Sequence, residues 1–191
     1  MLEIKKARFP MDVSQVYVVE RLQMDVNFEG SYHQLSQSEK LKLYFNAFLT
    51  AAVPFVNKFF GARAKQISTL NLCVICCDEK QIRALNKKYR NKNKPTDVLS
   101  FPVHENLRET KARGLAGEIV LGDIFICLPV AEKQAQDFKL TVEEEVVHLL
   151  IHGFLHLLGH DHEISIEEEE IMQEHETALL MKTADILRTL R

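Results

Sequence analysis

Apolar residues recur at helical spacing between Leu41 and Phe60, with Leu41, Phe45, Phe48, Leu49, Ala52 and Phe55 on one face. Ser36 followed by Glu39 has the form of a capping box and places the start of this helix; Pro54 kinks or divides it, and Gly61 ends it. Leu70 to Cys77 is rich in β-forming residues and predicts a strand. Asp78 then caps a helix whose apolar stripe is Ile82, Leu85 and Tyr89. Thr96 to Phe101 predicts a second strand between two prolines, and Pro102 argues against an interior place in a sheet at that end. Ile119 to Cys127 predicts a third, with Gly122 marking a bulge or a close backbone approach. Pro129 opens another helix. Thr141 and Glu144 form a capping box for a helix running to Leu158 that is apolar nearly all round, as a central buried helix must be. Ser165 and Glu168 cap a last helix to about Leu187, its first turn acidic. Residues 1–35 are the least readable part, with Val16 to Leu22 able to form one strand.

Strands and helices alternate, but the strands are few and short. The pattern predicts an α+β fold: a small mixed β-sheet of about four strands packed by helices, in a single domain over residues 1–191. With 46% hydrophobic residues the chain can build a core, and a net charge of −3 excludes a surface that is basic all over. The four cysteines do not form a disulfide framework. Cys73 and Cys76 would face opposite sides of a strand, so free thiols in a reducing, cytoplasmic setting are expected. No apolar run is long enough to span a membrane, and no signal peptide is evident.

Chemistry concentrates in His152-Gly153-Phe154-Leu155-His156-Leu157-Leu158-Gly159-His160-Asp161-His162, which holds four of the eight histidines. His152 and His156, four apart, stack on one helical face close enough to grip one metal ion. Gly159 can turn the chain so that a third histidine reaches the same ion; His162 is best placed and His160 competes. Three neutral imidazoles leave zinc one open position, the catalytic arrangement, so one Zn(2+) per chain is expected. The spacing is zincin-like, yet Gly153 stands where a zinc peptidase carries its glutamate base. His148 lies about 12 Å along the helix from His156, too far to share an ion, and is read as a supporting or packing residue. Asp161 could orient a ligand imidazole or simply shape the turn.

A second concentration is basic. Lys80, Arg83, Lys87, Lys88, Arg90, Lys92 and Lys94 occur with no acid among them in an otherwise net acidic chain, as suits a phosphate backbone. The stretch Leu85-Asn86, Tyr89-Arg90 and Lys94-Pro95-Thr96-Asp97-Val98-Leu99-Ser100-Phe101-Pro102, together with Leu121-Gly122-Asp123-Ile124 and the histidine string, resembles the YbeY family of metal-dependent endoribonucleases over roughly residues 70–176. The resemblance implies that His152, His156 and His162 bind the metal and that Arg90 acts in RNA cleavage. It further implies a preference for single-stranded RNA, a role in rRNA maturation that includes the small-subunit 3′ end and in ribosome quality control, and rRNA precursors and ribosomal assembly intermediates as partners. His160 departs from the pattern, since the family commonly shows tyrosine there. Two other functions compete: a ribosome-associated assembly factor with a structural metal, and a zinc peptidase, which Gly153 disfavours.

Overall fold

The structure is a computed structural model that describes residues 13–29, 32–104, 107–108 and 114–190. Five strands form one sheet: β1 (Val13–Val19), β2 (Leu22–Phe28), β3 (Ile67–Cys77), β4 (Val98–Pro102) and β5 (Gly117–Cys127), in the order β1-β2-β3-β5-β4. The helices are α1 (His33–Ser36), α2 (Glu39–Phe60), α3 (Glu79–Arg90), α4 (Leu128–Phe138), α5 (Val142–Leu157) and α6 (Ile166–Thr189). β2, β3 and β5 run parallel, and each edge is closed by an antiparallel strand. The α+β expectation holds, with five strands among the described residues rather than about four.

The added strand comes from the hairpin β1–β2. The segment that reads as one strand, Val16 to Leu22, contains its turn. Glu20 takes a positive φ of 51° there, and Arg21 Nη1 donates to the carbonyls of Ala64 and Ile67. The start of α2 also shifts: its N-cap is Ser38, whose hydroxyl accepts from Leu41 N at 3.2 Å, and Ser36 ends α1 instead. Pro54 lies within one uninterrupted helix. Pro102 ends β4, an edge strand, where a missing N–H costs least.

The two faces of the sheet carry separate apolar clusters. Leu70, Leu72, Val74 and Cys76 of β3 join the main core with α2 and α5, while Ile75 and Cys77 meet Ile82 of α3 on the other side. Cys73 and Cys76 therefore do face opposite ways. All four cysteines are free, and burial pushes the thiol of Cys76 up to about 12 and that of Cys127 up to about 11. In β5 the inward positions switch from Ile119 and Leu121 to Ile124 and Ile126. The switch follows a bulge, since Asn71 pairs with Val120 but Leu72 pairs with Gly122. One extra residue inverts the alternation, and here it keeps both halves of the strand facing the core.

α5 is the central helix. Its Thr141–Glu144 capping box is formed, and it packs on β4, β5, α2, α4 and α6. Phe154 stacks edge-on against Phe48 of α2 with centroids 5.4 Å apart. Close approach to the sheet depends on two glycines. A Cβ on Gly153 would lie 2.8 Å from Ile124 Cγ2 and 3.0 Å from Ser100 Oγ, and one on Gly122 would lie 2.9 Å from Leu157 Cδ2.

Candidate metal centre

The last turn of α5 and the turn after it bring three imidazoles together. The His152 and His156 Nε2 atoms are 3.2 Å apart, and ring centroids of His162 stand 5.3 Å from each of theirs. One ring nitrogen from each residue lies within 4.8 Å of the others, and all three side chains are half-buried. Two nitrogens on one tetrahedral zinc stand about 3.3 Å apart, given bonds of roughly 2.0–2.1 Å, so the His152–His156 pair is already at ligand spacing. Burial, and then His152 and His162, push the His156 imidazolium down to about 4, which leaves a neutral ring with a free lone pair near pH 7. The donor set fits a zinc-like ion with room for a further ligand.

The turn places His162, and not His160, beside the other two histidines. Gly159, at φ 91°, donates to the His156 carbonyl at 3.0 Å, and His160 N donates to the Leu155 carbonyl at 3.1 Å. This is a Schellman ending, in which the second residue beyond the helix packs inward. That residue is His160. It is 2% exposed, lies 4.8 Å from the ring of His175 and 6.4 Å from that of Phe59, and is not part of the group of three whose ring nitrogens converge. Asp161 next accepts from Glu163 N at 2.9 Å, a local turn that presents His162 to the other two histidines. Of its two readings, Asp161 takes the turn-shaping one.

A carboxylate on α6 stands behind the cluster. Glu176 Oε1 lies 3.3 Å from His152 Nδ1 and 3.4 Å from His148 Nε2, and Glu145 Oε2 lies 3.5 Å from His148 Nδ1. Glu145 is 1% exposed. Glu145, then Glu176, raise the His148 imidazolium to about 10. Burial opposes ionisation of Glu176, but His148 and His152 outweigh it and bring the carboxyl down to about 2. Neither glutamate stood out in the sequence. Glu176 follows an acidic run typical of a solvated helix face, and only the docking of α6 on α5 gives it partners.

Arg90 is the last residue of α3, and its side chain reaches the histidine turn. Its Nη2 lies 2.5 Å and 2.7 Å from the two carboxylate oxygens of Glu163, the residue after His162. Both partners are exposed, at 43% and 56%. The hydrogen bond and the charge of Arg90 hold the Glu163 carboxyl below its usual range. On α3, Lys80, Arg83 and Lys87 line an open groove together with Glu79, Asn93 and Pro95. Asn86 fixes the loop that follows by donating to the Lys94 carbonyl at 2.8 Å.

The family model described as Endoribonuclease YbeY matches residues 32–184, which include every residue of this centre. The chain belongs to the YbeY family. Relatives named Endoribonuclease YbeY include one from Aquifex aeolicus, 43% identical over 121 residues, covering 63% of this chain and 75% of that protein. Another, from Sulfurihydrogenibium sp., is 45% identical over 106 residues, covering 56% of this chain and 65% of its own length. One from Staphylococcus aureus is 43% identical, covering 56% and 70%. The solution structure of TM1509 from Thermotoga maritima is similar at a TM-score of 0.50 and 27% identity, covering 88% of this chain and 92% of that one. The β1–β2 hairpin lies outside the span matched by the YbeY model, so the strand that closes this edge of the sheet is carried by residues before the family's core segment.

Proposed function

We propose that this YbeY-family chain is an endoribonuclease of rRNA processing, cutting single-stranded RNA at a zinc ion held by His152, His156 and His162. Residues 1–191 act as one domain, with Arg90 facing the scissile phosphate. Ribosomal assembly intermediates, including the small-subunit 3′ end, supply the substrate, and ribosome quality control draws on the same cut. The reaction belongs in the cytoplasm, in keeping with four free cysteines. No helix among the described residues is long and apolar enough to cross a membrane.

The observation that carries this reading is the convergence of three half-buried imidazoles beside an exposed arginine. When bound, zinc supplies a water whose pKa falls toward about 7 and a Lewis acid for a phosphoryl oxygen. The chain's own residues do the rest. Three imidazoles fill three positions of a tetrahedral ion and leave the fourth for water or substrate. The planar Arg90 guanidinium meets non-bridging phosphate oxygens and complements the charge that grows on them. The groove along α3 takes flanking phosphates. The glutamate base of an H-E-x-x-H peptidase has no counterpart at position 153, which is glycine packed against Ile124 and Ser100 with no room for a glutamate side chain.

The test is single-turnover cleavage of an RNA that spans the small-subunit 3′ end, by protein stripped of metal and then reloaded. Cleavage should return at about one zinc per chain and be absent in His156→Ala. Undiminished cleavage after stripping would overturn the proposal. The Arg90–Glu163 pair gives some support to a non-cleaving assembly factor, since the arginine's charge is met within the chain. That reading expects RNA binding without cleavage in the same assay.

A further inference from the structure

The ring of His152 offers one nitrogen to each side. Its Nε2 faces His156 at 3.2 Å, and its Nδ1 faces Glu176 Oε1 at 3.3 Å. An imidazole that ligates through Nε2 must carry its proton on Nδ1, and a neutral histidine holds only one of the two tautomers at a time. Glu176 Oε1 is shut off from solvent and lacks a well-aligned hydrogen bond, as is Glu145 Oε2. A buried carboxylate oxygen in that position strongly favours a donor. Two N–H donors are in reach, His152 Nδ1 and His148 Nε2. His148 is in turn braced through Nδ1 by Glu145, whose side chain is 2% exposed.

We propose that Glu176 is a positioning residue of the metal centre: its carboxylate accepts the Nδ1 proton of His152, fixes the tautomer and ring angle that present Nε2 to the ion, and is held in place by the His148–Glu145 pair. The centre is thereby coupled to the docking of α6 on α5, although none of the three ligating histidines lies on α6. The inference rests on the proposed metal site and adds to it a residue 24 positions beyond His152 in the chain. Partners of this kind typically contribute 10- to 100-fold in metal affinity.

The experiment titrates metal-free protein with Zn(2+) against a chromophoric chelator, for wild type, Glu176→Gln, Glu176→Ala and His148→Ala. Zinc dissociation constants should rise about 10-fold in Glu176→Gln, which keeps an acceptor but no charge, and about 100-fold in Glu176→Ala. His148→Ala should show a smaller rise. Nitrogen-15 NMR of the imidazoles should show His152 as the Nδ1–H tautomer in metal-free wild type and as a mixture in Glu176→Ala. A purely structural Glu176 would lower the melting temperature of the metal-free protein and leave both the zinc constant and the tautomer as in wild type. That result in Glu176→Gln, the variant closest in shape, overturns the inference. Wild-type protein that takes up no zinc would overturn the metal site itself, a distinct outcome because it appears before any variant is compared.

Discussion

Arg90 and Glu163 face each other at the mouth of the histidine cluster, and neither is buried. Exposed pairs of this kind contribute at most about 1 kcal/mol, so an RNA phosphate can displace the carboxylate. Replacing Arg90 by alanine or by lysine should therefore lower cleavage by about 10²- to 10³-fold with metal content and melting temperature near wild type. Lysine fails because it lacks the planar fork. Glu163→Gln should act oppositely on binding, tightening RNA roughly 2- to 5-fold, the equivalent of the lost pair. Fluorescence anisotropy and single-turnover rates on the same preparations check both. At the third ligand, His162→Ala should lose bound metal while His160→Ala retains most of it, read by elemental analysis after gel filtration. Spacing alone left these two histidines in competition. What separates them is the Schellman geometry at Gly159, whose inward-packing position falls on His160. Glu145 and Glu176, the carboxylates beside His148 and His152, were not legible as such, because a carboxylate's partners depend on which side chain a distant helix places against it.

Among the elements, the contact of α5 with the sheet is the most demanding. A Cβ at position 153 meets Ile124 at 2.8 Å, so Gly153→Ala should destabilise by about 1–3 kcal/mol in a urea titration. Gly153→Glu should do worse and confer no peptidase activity. The loop into β4 is held by Asp97. It accepts from Val98 N at 2.8 Å, Gln134 Nε2 at 2.9 Å and Thr96 Oγ1 at 3.0 Å. Burial works against the ionised form, but these bonds, led by Gln134, hold the carboxyl below its usual range. A depressed folded pKa adds stability that is fully present above the unfolded value of about 3.9 and is lost as pH falls through the folded one. Asp97→Asn should therefore cost about 1–3 kcal/mol at pH 7, and the gap to wild type should narrow below about pH 4 in acid titrations. Helices with caps were legible because the caps are local: Asp78, Thr141 and Ser165 all act where expected. The β1–β2 hairpin was not, since its turn at Glu20 and Arg21 lacks glycine, proline or asparagine and is held by carbonyls more than forty residues away.

For the whole molecule, a net charge of −3 makes the basic segment around α3 a local field rather than a general one. Lys92→Ala and Lys94→Ala should each weaken RNA binding modestly and reduce the slope of log affinity against log salt by about one, without changing which RNA is cut. Equal slopes in wild type and variants would remove these lysines from the RNA path. The alternation of strands and helices made the fold class legible, whereas the parallel neighbours β3 and β5 could not be paired from sequence, because nothing local specifies which strands meet. That order along the chain also bears on truncation. The sheet is finished at Cys127, but the histidines and the glutamate behind them are contributed only by α5, the turn after it and α6. A single domain folds as a unit, so the sheet and the helices that cover it depend on one another. A chain cut short before α5 would therefore lack all three histidines and also the helix that buries one face of the sheet, so the candidate centre and the core would be lost together.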